Sequence, residues 1–548
     1  MVSKHKSADV SFESLLKIFT VPEGPDSTLT KIEETLSQNL NEFLREHIVA
    51  EEKPLKEIEK SFSIPAIPEQ PQFVSDHTEY LLDTLVAHSV HTSSPSFIGH
   101  MTSALPYFLM PLSKIMIALN QNLVKVETSK AFTPLERQVL GMLHRLIYND
   151  SDSFYDQWMH SAKHSLGAFC SGGTVANITA LWVARNNVLR AEGDFKGVEK
   201  EGLFKAMLHY GYGGLAVLVS ERGHYSLKKA ADVLGIGQEG LISIKTDANN
   251  RLCPEDLKEK IAQLKQQNIK PIAVVGVAGT TETGTIDPLD QIANICQAEE
   301  CHFHVDAAWG GATLMSNNYR HLLKGIEHAD SVTIDAHKQL YIPMGAGMVL
   351  FKKPDAMNAI KHHAQYILRK GSKDLGSRTL EGSRSGMAML VSAAMHIISR
   401  PGYELLIDQG IDKAKQFAEL IQAQPDFELV SAPELCLLTY RYVPEKVMQA
   451  LNKASGADKV ELNELVNELT KFIQKKQRET GKSFVSRTRL NPNQWDRLDV
   501  IVFRVVLANP LTSFDILESV IEEQRQISTK APKLMGRIMA LTNQIIDS

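Results

Sequence analysis

At 548 residues, with 43% hydrophobic and 22% charged side chains, the chain has ordinary globular composition and length for several packed units, which argues against disorder or a fibre. Its 59 Lys and Arg against 64 Asp and Glu give a net charge of −5, so no nucleic-acid footprint is expected. Five scattered cysteines (Cys170, Cys253, Cys296, Cys301, Cys436) form no C-x-x-C pair, which speaks against a disulfide scaffold or metal site and for a reducing compartment. The opening residues carry no apolar run before a small-residue cleavage site, so no secretory signal is expected. The most apolar stretch, Tyr107 to Leu119, is interrupted by Lys114 and too short for a bilayer. A cytoplasmic protein without membrane contact is expected.

In chain order, residues 1–110 read as an N-terminal helical segment or arm, with helical periodicity over 29–48 and an extended connector at Pro65, Pro68 and Pro71. Residues 111–398 read as a large α/β domain. Short apolar runs at 215–220, 271–277, 301–305, 331–334 and 347–351 alternate with helical stretches such as Pro254 to Gln267 and Leu289 to Ala298. That alternation predicts a mostly parallel sheet with helices on both faces. Residues 399–548 read as a smaller α+β domain, with strands within 434–443 and 498–507.

Ligands of open parallel sheets bind beyond the carboxyl ends of the strands. Here those ends carry Glu221 to His224, Gly279 to Thr281, Asp306 to Ala308, and Asp335 to Lys338. Four polar strand ends in succession, each beside a small residue, predict one shared crevice. Before them, Ser171, Gly172, Gly173 and Thr174 open a helix, either as a phosphate cradle or as a tight turn with Thr174 as cap. Asp306, amid alanine and glycine, is either a helix cap or the partner of a protonated ring nitrogen. Lys338 is either a solvated surface group or a desolvated strand-end nucleophile. His224 is either a structural histidine or a ring-stacking one, with Ala308 on the opposite ring face. Together the groups fit pyridoxal 5′-phosphate: Lys338 as covalent anchor, Asp306 on the ring nitrogen, the glycine turn on the phosphate.

The segments CSGGTVANITAL, GHYSLKKAA, GTTETGTIDPL, HVDAAWGG and DSVTIDAHK resemble the signature set of the group II pyridoxal-phosphate decarboxylases. The resemblance implies a type I aminotransferase-like fold and a homodimer with shared active sites. It also implies α-decarboxylation of an amino acid, an acidic one such as L-aspartate first and L-glutamate second. It carries ring stacking onto His224, the ring-nitrogen partner onto Asp306, the covalent anchor onto Lys338, a cofactor contact onto Thr281, and a phosphate or imine neighbour onto His337. Two segments depart from the pattern. The stretch 366–386 is short, lacks a tyrosine after Tyr366, and ends in GSRSG, which also resembles carbon–carbon lyases of phosphorylated amino alcohols. HTSSPSFIGHM at 91–101 alters the substrate-side element. Residues 367–381 have the composition of a mobile lid. For a substrate carboxylate, Arg384 is the first candidate and His100 the second, Arg384 being equally suited to a partner subunit's cofactor phosphate.

Overall fold

The structure, a computed structural model, describes residues 48–49, 53–362, 371–492 and 495–547. The helical reading of 29–48 therefore lies, Ile48 apart, outside the described residues. Residues 62–73, which hold the three prolines, form neither helix nor strand.

The larger unit is built on seven strands: β1 (Gly167–Cys170), β2 (Gly214–Ser220), β3 (Leu241–Ile244), β4 (Ile269–Val277), β5 (His302–Asp306), β6 (Ser331–Asp335) and β7 (Gly347–Phe351), in the spatial order β1-β7-β6-β5-β4-β2-β3. Strands β2 to β6 run parallel, and β7 is antiparallel to both β6 and β1. The reversal has a local cause. Only residues 336–346 join β6 to β7, and they contain no helix, whereas a parallel crossover needs a dozen or more residues.

Helices α1 (Leu109–Leu119), α2 (Phe132–Tyr148), α3 (Gly173–Val188), α4 (Ser226–Val233), α5 (Pro254–Gln266) and α6 (Leu289–Ala298) surround this sheet. The two-residue period of β2 shows how the faces divide. Ala216 and Leu218 enter the core shared with α2, α5 and α6, while Leu215, Val217 and Val219 enter the one shared with α3 and α4. Both faces are thus buried, which is why these strands are continuously apolar. The apolar stretch beginning at Tyr107 is largely α1, and it is not a core helix: Tyr107 is 78% and Ile117 70% exposed. Among the described residues, no helix is long and apolar enough to cross a membrane.

The smaller unit is an antiparallel sheet, β10-β11-β9-β8, formed by β8 (Phe427–Ser431), β9 (Leu437–Tyr442), β10 (Ser486–Leu490) and β11 (Val500–Val506). Its core joins helices α7 (Ser399–Gln422), α8 (Gly456–Thr480), α9 (Phe514–Ser528) and α10 (Pro532–Asp547). In β11, Phe503 and Val505 face that core. Arg504 between them reaches the large unit, donating to the carbonyl oxygens of Thr281 and Gly99.

Candidate active site

The register of the sheet assembles the site. Asp306 ends β5 opposite Thr333, so Asp335, two residues further along β6, presents its side chain on the same face. Gly347 on β7 pairs with Asp335 on one side and Cys170 on the other, which brings the turn after β1 beside the end of β6. A cavity of about 330 Å³ opens there. It is lined by Ser171, Gly172, Gly173, Thr174, His224, Thr281, Asp306, Ala308, His337 and Lys338, and also by Asn177 and Asp335. Four strand ends and the glycine turn thus meet in one crevice.

The turn is not capped by Thr174. Gly172 is the N-cap of α3 and makes no side-chain cap bond, so the first-turn amides, which have no helical acceptor, are left for an anion. A side chain at Gly173 would collide with the Asp335 carboxylate, 2.8 Å from the added carbon, and crowd Ala308 at 3.3 Å. Gly279, at φ +93°, needs the left-handed region, and a Cβ there would meet Trp309 at 2.9 Å.

Asp306 is not a helix cap. Its Oδ2 accepts from Asn177 Nδ2 at 2.8 Å and its Oδ1 from the Ala308 amide at 3.2 Å. Because a carboxylate only accepts, the Asn177 amide can face one way only. Asn177 Oδ1 must then accept from His304 Nε2 at 3.1 Å. Burial pushes His304 down to about 4, so the ring is neutral and its Nδ1 accepts from Ser331 Oγ at 2.8 Å. Ser331 in turn accepts from His302 Nε2 at 2.8 Å. Every donor in this chain points toward Asp306. A branch runs from Asn177 Nδ2 to Ser226 Oγ, which is 2.8 Å from His224 Nδ1. Burial, with Lys338 adding to it against the pull of Asp306, holds His224 below its ordinary pKa, a neutral ring suited to stacking. Sequence reasoning missed Asn177, Ser226 and His304. The visible signal for His304 was a polar side chain inside an otherwise buried strand.

Lys338 is not an isolated desolvated amine. Its Nζ lies 3.2 Å from Asp335 Oδ2, and His337 Nε2 lies 3.6 Å from the same oxygen. His337 Nδ1 donates to the Ala346 carbonyl at 3.0 Å. Among the described residues, Asp335 Oδ1 is buried without a hydrogen-bond partner.

Arg384 requires a correction. Its two terminal nitrogens form a fork on Glu136 at 2.8 and 2.9 Å, with both side chains buried. Like Arg504 and His100 it does not line the cavity, and unlike them it would have to abandon a buried counter-ion to act as a substrate or phosphate ligand. Arg504 was missed, because one arginine within an apolar strand reads as a packing exception. It is buried, and its Nη2 has no acceptor among the described residues, while Nε and Nη1 are held by carbonyls and by Ser486. Burial lowers Arg504 to about 10, with Glu282 opposing. His100 follows Gly99, a carbonyl partner of Arg504; it is exposed and does not line the cavity, and its pKa is lowered by partial desolvation first and then by the charges of Arg504 and Lys338. It therefore stands within electrostatic reach of the anchor lysine. Part of the expected lid, 367–370, lies outside the described residues. The remainder is packed: Asp374 accepts from the Val126 amide, Arg378 donates to the Lys163 carbonyl and Asn358, and Glu381 accepts from the Ser171 amide.

The donor set fits pyridoxal 5′-phosphate on structural grounds. The cavity brings together an uncapped helix start, a lysine amine paired with Asp335, and a second carboxylate locked by two donors. A family model described as the pyridoxal-dependent decarboxylase conserved domain matches residues 54–443. The chain belongs to that family, and it is a pyridoxal-phosphate-dependent carboxy-lyase of the type I fold. It is 71% identical over 546 residues to the aspartate 1-decarboxylase of Aliivibrio fischeri, covering 100% of this chain and 99% of that one. It is 30% identical to the cysteine sulfinic acid decarboxylase of Mus musculus over 66% of this chain and 70% of the relative. Among solved structures, mouse CSAD in apo form superposes with a TM-score of 0.78 at 25% identity, covering 91% of this chain and 98% of that one. Oryza sativa TDC with PLP and tryptamine gives a TM-score of 0.76 at 20% identity, covering 93% and 99%, a likeness of fold.

Proposed function

We propose that the chain removes the α-carboxyl group of L-aspartate, releasing CO₂ and β-alanine, the latter for pantothenate synthesis. The observation that carries an acidic substrate is Arg504, a buried guanidinium beside Thr281 and His100 with a donor left over. An aspartate carries one carboxylate to be lost and one to be held, and a buried carboxylate needs a cation. The aspartate 1-decarboxylase relative supports the same reading. Glutamate is one methylene longer, worth only about 1–3 kcal/mol of discrimination.

When bound, the cofactor supplies an electron sink for the bond to the departing carboxylate. The protein's part is to hold and orient. Lys338 Nζ would hold the cofactor through its aldehyde carbon. Asp306, held in place by Asn177 and the Ala308 amide, would hold the proton on the ring nitrogen. At an effective dielectric near 20, opposite charges about 4 Å apart attract by roughly 4 kcal/mol. That is about three pKa units at roughly 1.4 kcal/mol each. His224 and Ala308 flank the ring, Thr281 contacts the cofactor, and Ser171, Gly172, Gly173, Thr174 and His337 take the phosphate. Arg504 takes a substrate carboxylate, with His100 beside it.

We further propose a cytoplasmic homodimer, with the exposed apolar side chains of α1 (Met110, Ile115, Ile117 and Leu119) covered by the second copy. The chain would divide at about residues 110 and 398. Borohydride reduction of the loaded enzyme followed by peptide mapping should label Lys338, and a label elsewhere overturns the site. Product analysis with aspartate, glutamate, cysteine sulfinate and tyrosine tests the substrate. β-Alanine as the dominant product is expected, whereas turnover of tyrosine without aspartate would remove the acidic reading and leave the decarboxylase class standing.

A further inference from the structure

We propose that Asp335 couples cofactor loading to a proton: ionised and paired with Lys338 in the cofactor-free chain, it takes a proton from solvent when the phosphate is seated and donates it to that phosphate. The inference rests on the seating proposed above.

The carboxylate stands where the anion belongs. Its Oδ2 would be 2.8 Å from a Cβ on Gly173, the first residue of α3, and its Oδ1 2.6 Å from a Cβ on Gly347. Two glycines thus make room for Asp335 at the helix start, the position that favours a phosphate. A phosphate monoester carries about −1.5 to −2 charge at neutral pH. Two anions cannot share one site without one of them binding a proton. Oδ1 is sealed from the cavity, so the proton sits on Oδ2, the oxygen on the Gly173 side, which is free to donate to a phosphate oxygen once Lys338 has left it.

The charges around Asp335 agree. Lys338 and His337 face it and favour its ionised form, Asp306 opposes, and burial outweighs them all to raise its pKa. His224 faces it across the cavity, and Glu381 lies on the far side of the turn, on the Ser171 amide. His337 Nδ1 donates to the Ala346 carbonyl, which leaves Nε2 as the ring atom that faces Asp335. Loading then removes the main restraint. The Lys338 nitrogen joins the aldehyde carbon, and the aldehyde oxygen leaves as water with two of the three ammonium protons. That step is proton-neutral, so the proton at Asp335 is an additional one from solvent.

The test is calorimetric titration of cofactor-free protein with pyridoxal 5′-phosphate at about pH 8, in two buffers of different ionisation heat, which counts protons directly. Wild type should take up about one proton more per site than Asp335→Asn, and its log Kd should rise by about one more per pH unit above neutrality. Equal proton counts and equal slopes overturn the proposal. Should circular dichroism show Asp335→Asn unfolded, Asp335→Ser replaces it. If neither variant folds, wild type decides: the phosphate ester should load with about one more proton than pyridoxal, which has no phosphate, and equal uptake overturns the idea. Failure of the seating itself is distinguishable, because borohydride would then leave Lys338 unlabelled.

Discussion

Two buried arginines in different regions face the same physical problem and solve it differently. Behind β1, burial lowers the affinity of Arg384 for its proton, but the Glu136 carboxylate more than restores it, and the pKa ends above the ordinary value. In β11, Arg504 has carbonyl oxygens and a hydroxyl as hydrogen-bond partners, and burial prevails, leaving it at about 10. A cation whose counter-ion is built in is a structural element. A cation buried on neutral acceptors has no counter-ion built in, which is what the proposed substrate site requires. Burial alone therefore does not mark a ligand-binding arginine; the charge of its partners does.

The largest expected effect separates the two roles. Arg504→Met should lower kcat/KM for aspartate by about 2–5 kcal/mol, roughly thirtyfold to several thousandfold. Cofactor loading, read from visible absorption, should be retained. A variant that loads cofactor and turns over aspartate at the wild-type rate would break the comparison. Arg384→Met should act on folding instead, costing about 3–5 kcal/mol because Glu136 is left buried and unpaired. Denaturant melts should show most of that loss recovered in the double variant with Glu136→Met. Failure of the recovery, or a selective rise in KM, would return Arg384 to the active site.

A smaller effect sharpens the rule with an anion. Asp287 is buried on two amides, those of Leu252 and Val277, each at 2.8 Å, and burial raises its pKa from 3.8 to about 7. A folded-state pKa above the unfolded one contributes stability that is complete below 3.8 and lost as pH rises through about 7. Asp287→Asn mimics the neutral acid, so its melting temperature should vary less over that window than the wild type's. Parallel profiles would show that the amides alone satisfy the charge.

What the sequence disclosed follows the same division. The glycine turn, His224, Asp306 and Lys338 were legible because each is a chemical type at a strand end, and strand ends converge whatever the packing. The alternation of apolar runs disclosed the parallel sheet. It could not disclose that β7 runs backwards, which depends on the length of one connection. Arg384 was misread because its partner Glu136 lies 248 positions away. Arg504 was overlooked for the converse reason: nothing local to β11 reveals that its side chain leaves the small core for Thr281. Asn177, one polar residue on a helix, became informative only once Asp306 stood 2.8 Å from it.

The chain from His302 through Ser331, His304 and Asn177 to Asp306 has a direction, and direction in a closed row of hydrogen bonds is a form of memory. No member can turn over alone without setting two donors or two acceptors against each other, so the row is inherited whole or lost whole. An engineer wishing to alter the acid–base character of the catalytic centre thus has a point of entry at the amino end of the central strand β5. His302 borders a separate cavity there and does not line the catalytic one. A substitution made there would be spelled out, link by link, as the orientation of one amide.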